Sequence, residues 1–94
     1  MFVLHVDLKV KQGLEPVIER IYIENFRPAI SRQDRFGAVE LLRPTEDRGD
    51  YRLTIAFEDW TSQQKWVSTE IHQIVWPQME AQCLSYSVEY YNLV

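Results

Sequence analysis

The residues with the clearest capacity for chemistry lie between Trp60 and Pro77, a stretch that holds all three tryptophans and one of the two histidines. The imidazole of His72 has an ordinary pKa near neutrality, so it is suited to take a proton from a phenol or to hold a substrate oxygen. Trp66 and Trp76 offer flat faces on which a planar ligand can stack. The structural alternative is that both indoles are core and that His72 is a surface or capping residue.

The positions of these side chains depend on whether their helix is continuous. In one unbroken helix, ten residues advance by about 1000°, which leaves the rings of Trp66 and Trp76 roughly 80° apart. His72 and Trp76 then share one stripe of the helix, and Trp66 lies on another. A break at Ser68-Thr69 resets this phase. Thr69 is also able to begin a second helix, with His72 in its first turn.

Other candidate groups have structural explanations. His5 and Asp7 alternate onto one strand face, where they could form an acid–base pair or half of a metal site, but no third ligand is apparent. Cys83 has no neighbouring base in the sequence, so a buried structural thiol is expected. Arg27 is expected to be solvated. Aromatic residues on strands usually pack, which applies to three tyrosines near the C-terminus: Tyr86, Tyr90 and Tyr91.

Composition limits the classes of function. The chain has 94 residues, which predicts a single domain over residues 1–94, and its hydrophobic fraction of 46% is that of a soluble globular protein. A net charge of −4 and ten scattered basic residues argue against nucleic acid as a partner. The single cysteine excludes an internal disulfide and fits a reducing compartment. Without a signal peptide or a membrane-length apolar run, we expect a cytoplasmic protein that does not enter membranes.

Four segments have the pattern of β-strands. The first runs from Phe2 to Val10 and ends at Gln12-Gly13. The others are Ala38 to Arg43, Tyr51 to Glu58, and Leu84 to Val94. One face of the first strand carries only aliphatic residues: Leu4, Val6, Leu8 and Val10.

Two helical segments separate these strands. The first has Pro16 in its opening turn and apolar residues at three- and four-residue spacing up to Phe26. Pro28 is expected to kink this helix rather than end it, because residues 29–33 are still typical of a helix. Asp59 is a good N-cap for the second segment, which begins at Trp60 and ends near Gln82.

The resulting order, β-α-β-β-α-β, predicts a ferredoxin-like α+β fold, in which a four-stranded antiparallel sheet carries both helical segments on one face. The opposite face is mixed, with apolar members such as Val3, Ala56 and Tyr91 among polar residues. A second sheet packed on it would make a two-fold homodimer, which we expect; exposure of this face to solvent is the alternative.

Several short motifs resemble the antibiotic biosynthesis monooxygenase domain of the dimeric α+β barrel superfamily. They are the segments Val6–Gly13 and Gly37–Pro44, and Phe57-Glu-Asp59 leading to Trp66 and His72. The resemblance spans essentially the whole chain. It implies a homodimer whose two sheets form a barrel, and a pocket between sheet and helices in each subunit. Members commonly break the second helical segment near residues 68–69, so we expect the break.

The family includes haem-degrading enzymes, whose pattern is only partly present here. They use an asparagine on the first strand, a tryptophan on the second helical segment and, ten residues later, a histidine that ligates iron. The corresponding positions are Val6, Trp66 and Trp76. An indole cannot ligate iron, so the resemblance disfavours haem degradation unless His72 substitutes.

Cofactor-free oxygenases of the family use an asparagine and a tryptophan on the third strand and a tyrosine on the following helix. In this sequence the corresponding positions are Leu53, Phe57 and Gln63, so the asparagine, tryptophan and tyrosine of that mechanism are absent. The family also contains isomerases of small signalling molecules and proteins of unknown role.

The resulting hypothesis is a cofactor-independent monooxygenase that uses O2 on a small aromatic or quinol-type metabolite, without metal or flavin. His72 is the predicted catalytic base, and the predicted substrate-binding residues are Trp66, Trp76, Phe57 and Val6. The alternative is a non-catalytic ligand-binding or stress-response module with the same pocket.

Overall fold

A computed structural model describes all residues from Met1 to Val94. The strands are β1 (Phe2–Val10), β2 (Phe36–Leu42), β3 (Asp50–Phe57) and β4 (Cys83–Asn92). The helices are α1 (Glu15–Ile21), a π-helical turn (Tyr22–Phe26), α2 (Arg27–Ser31), α3 (Trp60–Val67) and α4 (Glu70–Glu80). The bounds of β1 are those predicted, and the bounds of the other three strands differ from the predicted ones by one or two residues.

The four strands form one antiparallel sheet in the order β2-β3-β1-β4, with the helices on one face. This confirms the ferredoxin-like β-α-β-β-α-β arrangement. Because β1 and β3 are central, their alternating apolar residues form the floor of the core. The side chains that are nearly or completely inaccessible include Leu8, Leu53, Phe57, Ile18, Ile30, Phe26, Trp66 and Met79.

The first helical run continues through Pro28, as predicted. Proline has no N–H, so the bond to the carbonyl four residues earlier cannot form there. The chain widens into the π-helical turn just before this point, and the N–H of Arg27 bonds the carbonyl of Tyr22, five residues back. The predicted kink therefore takes the form of a widened turn, and α2 continues after it.

The break in the second helical segment is also confirmed. Asp59 caps α3 by accepting a hydrogen bond from the Ser62 N–H at 2.8 Å, and α3 ends at Val67. The hydroxyl of Thr69 then accepts the N–H of His72 at 3.2 Å and donates to the carbonyl of Trp66 at 2.7 Å. One threonine side chain thus ends α3 and begins α4.

The sheet face opposite the helices is polar at its centre. Arg52 of β3 donates to Asp7 of β1 at 2.8 Å, and the ring of His5 lies 4.9 Å from that of Tyr91 on β4. These contacts occur within one chain. The homodimer through this face stays a prediction.

Candidate functional site

A small apolar cavity of about 170 Å³ lies between the sheet and the helices. β1, β3 and β4 form its floor, while the π-helical turn, α3 and α4 cover it. Eleven of its thirteen lining residues are hydrophobic, so it suits an apolar ligand. The lining comprises Leu4, Val6, Phe26, Leu53, Ile55, Gln63, Trp66, Val67, His72, Trp76, Tyr86, Val88 and Tyr90.

Trp66 and His72 meet at the wall of this cavity. Their ring centroids are 5.0 Å apart and their planes are inclined by 84°, an edge-to-face arrangement. Trp66 is only 1% exposed and also meets the ring of Phe26 edge to face at 5.9 Å. The break between α3 and α4 brings these rings together, and two core contacts hold the indole in place.

Trp76 forms the outer part of the cavity. It is half-buried, and its indole meets the ring of Tyr86 edge to face at 5.1 Å. Tyr86 and Tyr90 are 45% and 57% exposed, and both belong to the edge strand β4. The cavity wall nearest to solvent is therefore aromatic and lies along β4.

The structure places Val6 at the cavity floor but does not bring Phe57 there. Phe57 shares the inner face of β3 with Leu53, yet it lies at the far end of the strand, opposite Phe2. It is fully buried and packs edge to face against Phe36 at 5.9 Å. The predicted place of Phe57 among the cavity walls is corrected: it is a core residue.

His72 is half-buried beside the apolar side chains that line the cavity. Burial lowers the pKa of its imidazole below the ordinary value of 6.5, because desolvation disfavours the charged ring. The ring is therefore neutral at neutral pH. Its Nδ1 lies 3.3 Å from Nε2 of Gln73, and the same Nε2 donates to the carbonyl of Val67 at 2.9 Å.

Gln63 is the other polar residue of the lining. It is 6% exposed, and its Oε1 accepts a hydrogen bond from Nε2 of Gln64 at 2.6 Å. It lies three residues before Trp66 on α3, and that spacing puts both on one helix face. Gln63 corresponds to a family position in the sequence but was not predicted to line the cavity. The helical spacing to Trp66 was the available signal.

Three further lining residues, all on β4, were also not predicted from the sequence to line the cavity. The register pairs Tyr86 with Leu8, Val88 with Val6 and Tyr90 with Leu4. Residues directly paired across two strands point to the same face, so these side chains join the inner face. The alternation of β4 was visible in the sequence, but which of its faces meets the helices depends on this pairing.

The remaining candidates lie outside the cavity. His5 and Asp7 are on the opposite face of the sheet, and Cys83 donates to the carbonyl of Met79 at 3.5 Å. Burial raises the pKa of the Cys83 thiol, so the thiol form prevails.

No three His, Cys, Asp or Glu side chains are grouped so as to hold a metal ion. No helix has the length and apolarity needed to cross a membrane.

A larger cleft of about 590 Å³ lies near the connection between β2 and β3. Only four of its thirteen lining residues are hydrophobic, and its walls include Arg43, Arg52 and Asp7. Arg52 and Asp7 already pair with each other there. This cleft suits a flat apolar ligand less well than the smaller cavity, despite its size.

No family model and no curated protein matches the chain. Solved structures do. A provisionally named antibiotic biosynthesis monooxygenase from Caulobacter crescentus CB15 has a TM-score of 0.87 at 14% identity, covering 99% of this chain and 89% of that one. One from Nitrosomonas europaea has a TM-score of 0.87 at 15% identity, covering 100% and 99%. A variant of MhuD with two manganese protoporphyrin IX molecules bound per active site has a TM-score of 0.81 at 19% identity, covering 100% and 95%.

These likenesses confirm the resemblance at the level of the fold. The chain has the α+β fold of structures named antibiotic biosynthesis monooxygenases, over essentially its whole length. At identities of 14–19% the likeness concerns the backbone. A shared fold does not determine function, which depends on the side chains of the chain's own cavity.

Proposed function

We propose that the protein is an oxygenase-type enzyme that acts on a small phenol or quinol in the cavity beneath α3 and α4, without metal or flavin. The observation that carries the proposal is the pairing of Trp66 and His72 in a cavity that is otherwise almost wholly apolar. Such a cavity excludes water from a flat ring and offers it an imidazole. The fold of structures named monooxygenases supports the same class of reaction.

The size of the cavity limits the substrate. Ligand pockets for larger molecules commonly have about 300–1,000 Å³, whereas an apolar cavity of about 150 Å³ is enough for benzene. The cavity here has about 170 Å³. We infer that it takes one aromatic ring, and that the hydroxyl of this ring lies toward His72.

The reaction that fits these groups needs no external reductant. A phenol loses its proton to solvent, the phenolate passes one electron to O2, and the resulting radicals combine to form a carbon–oxygen bond at a ring carbon that bears hydrogen. The peroxide takes up a proton, and the hydroperoxide then loses water together with that ring hydrogen and leaves a ring carbonyl. The substrate supplies all four electrons, one oxygen atom enters the quinone and the other leaves as water. The protein binds the ring, holds its hydroxyl against His72 and excludes bulk water.

Haem is a poor fit to this cavity. MhuD shares the fold and its structure contains a metalloporphyrin. The space here is suited to about one six-membered ring, while a porphyrin has four pyrrole rings. Trp76 occupies the position expected for an iron-ligating histidine, and its indole is packed against Tyr86. A hemin titration is therefore expected to produce no shifted Soret band.

The deciding experiment compares oxygen uptake with a panel of one-ring phenols and quinols. His72→Gln removes the imidazole from the cavity, and His5→Gln is the matched control because His5 lies on the opposite sheet face against Tyr91. We expect substrate-dependent uptake in wild type and in His5→Gln, with 18O from labelled O2 in the product, and a strong loss in His72→Gln.

Equal uptake by His72→Gln and wild type would contradict the role of His72. Ring binding without any uptake across the panel would instead favour the non-catalytic ligand-binding module.

Homodimerisation through the polar sheet face and a cytoplasmic location are part of the same proposal. Two-fold packing of sheets is supported by the mixed character of that face, where apolar Val3, Ala56 and Tyr91 lie side by side. Light scattering tests it directly, because a solution mass near the single-chain value of 11.2 kDa would contradict the dimer.

A further inference from the structure

We propose that Gln73 is a positioning residue that fixes His72 as the neutral tautomer protonated at Nε2, so that the cavity selects rings bearing a hydrogen-bond acceptor, a phenolate or carbonyl oxygen. This inference deepens the proposed function and rests on the same cavity. It changes the part played by His72 from a base to a hydrogen-bond donor.

The first step is the orientation of the Gln73 amide. Its Nε2 lies 2.9 Å from the carbonyl oxygen of Val67. A carbonyl oxygen only accepts hydrogen bonds, so the group facing it must be the NH2 and not the oxygen of the amide. If the amide were flipped, the Oε1 of Gln73 would face the carbonyl oxygen of Val67, and neither could donate. The end of α3 therefore determines which way the Gln73 side chain points.

The second step is the tautomer of the imidazole. The same Nε2 of Gln73 lies 3.3 Å from Nδ1 of His72. The amide nitrogen has two hydrogens, one for Val67 and one for this contact, and it has no acceptor capacity. Nδ1 must therefore accept. A neutral imidazole carries a single N–H, so the proton is on Nε2.

The same geometry disfavours the protonated, positively charged form of the His72 imidazole. Protonation of Nδ1 would direct its N–H toward the NH2 of Gln73, so that two donors face each other. Burial among apolar side chains acts in the same direction. The titratable groups that share the cavity with His72 are the phenols of Tyr86 and Tyr90, and no carboxylate lines it. At neutral pH the ring therefore stays neutral and keeps Nε2–H as its donor.

The chemical consequence concerns the ligand. His72 lines the cavity, and the proposal places its Nε2–H toward the ligand. A donor there stabilises an oxygen that carries negative charge, and a hydrogen bond to a charged group contributes more than one to a neutral group. A phenol is then bound as its phenolate, with its proton released to solvent. Gln63 is compatible with this preference, because its amide has an NH2 group to donate, while its Oε1 already accepts one hydrogen bond from Gln64. Both polar residues of the lining thus offer hydrogen atoms.

The test reads the tautomer directly. In a His5→Gln background His72 is the only histidine, so its ring nitrogens give unambiguous signals after 15N-histidine labelling. We expect an unprotonated Nδ1 and a protonated Nε2 in two-bond 1H–15N spectra recorded where the ring is neutral. Gln73→Met removes the donor at similar length without adding charge, and it is expected to raise the Nδ1-protonated fraction of His72. An Nδ1-protonated ring in the His5→Gln background, or an unchanged tautomer population in Gln73→Met, would overturn the proposal.

Binding of 4-nitrophenol provides the second readout, because its absorbance distinguishes phenol from phenolate. The phenolate is expected to bind, and the uncharged variant Gln73→Met should weaken it severalfold, because part of the His72 population then no longer offers the charge-assisted hydrogen bond. Toluene, which has the ring but no acceptor oxygen, should bind both proteins equally. Equal loss of both ligands would show damage to the cavity and not to the donor, and would overturn the positioning role.

These measurements separate this inference from the oxygenase proposal, since neither requires O2. The tautomer of His72 and the preference of the cavity for phenolate are both measured without catalytic turnover. Absence of oxygen uptake alone would overturn only the proposed reaction.

Discussion

The imidazole of His72 rests edge to face on the indole of Trp66, at 5.0 Å and 84°, although the helix between them is broken. The residue that makes the break, Thr69, bonds both partners through the backbone: it donates to the Trp66 carbonyl and accepts from the His72 N–H. The pair is therefore positioned by a helix cap as well as by packing. This relationship leads to the first of four predictions.

Thr69→Ala is expected to destabilise the protein by about 1 kcal/mol, because the N-cap of α4 is lost. It should also loosen the contact of His72 with Trp66 and weaken ring binding in the cavity. Urea unfolding and 4-nitrophenol titration measure the two effects.

Asp59→Ala is the matched control for Thr69→Ala. It removes the cap of α3, which bonds Ser62 and is remote from His72 in sequence. It should cost similar stability and leave ring binding largely intact. If both variants weakened binding equally, a specific role of the Thr69 cap would be contradicted.

Trp66→Ala is expected to cost about 3–5 kcal/mol, the range for truncating a large buried aromatic residue. Trp66 is 1% exposed and packs on Phe26 as well as His72. Trp60→Ala serves as the comparison, since Trp60 is 51% exposed and a much smaller loss is expected. Chemical unfolding measures both. A loss below 1 kcal/mol for Trp66→Ala would show that the indole is not part of the core.

Stability is expected to fall as the pH drops below about 6.5, and His72 contributes to this fall. Burial lowers its pKa in the folded state, so the unfolded chain takes up a proton first as the pH decreases. The unfolded state then binds more protons, and the free energy of unfolding declines until the pH passes the folded-state pKa. At pH values well above about 6.5 both states are neutral and His72 adds no pH dependence.

His72→Gln should flatten this slope, while His5→Gln keeps the contribution of His72. Urea unfolding midpoints recorded across the weakly acidic range compare the two variants. A slope that persists unchanged in His72→Gln would assign the acid sensitivity to other groups.

Tyr51 is expected to resist ionisation until strongly alkaline pH. Burial, and then the hydrogen bond from its hydroxyl to Glu19 at 2.5 Å, raise the pKa of Tyr51 to about 12. Glu19 in turn accepts two hydrogen bonds from Arg43, which lower the pKa of its carboxyl. Because the unfolded chain loses this phenol proton near pH 10, the stability that Tyr51 contributes is lost as the pH rises from about 10 toward 12.

An alkaline absorbance titration with a Tyr51→Phe reference identifies this phenol among the five tyrosines. Glu19→Gln should shift its ionisation to lower pH, since a neutral acceptor no longer opposes the phenolate. A Tyr51 transition near pH 10 in the wild type would contradict the buried bond to Glu19.

Local patterns in the sequence were enough to predict the order of elements and the inward face of the central strands. Val6 faces the core because a strand alternates with a period of two, and this period is readable from neighbouring residues alone. The caps at Asp59 and Thr69 were also readable, since the oxygen that ends or begins a helix lies within a few residues of the N–H it bonds. The family resemblance added the expectation of the break.

Only the tertiary structure decided which of these residues share a cavity. Phe57 has the same strand phase as Leu53, yet Phe36 covers it at the end of the sheet while Leu53 lines the cavity. Tyr90 joins the wall because β4 pairs it with Leu4, a partner 86 residues away, and the tautomer of His72 depends on the amide of Gln73 reaching back to Val67. Sequence period determines the face on which a side chain lies, but its neighbours are set by strand register and helix ends, which bring distant residues into contact.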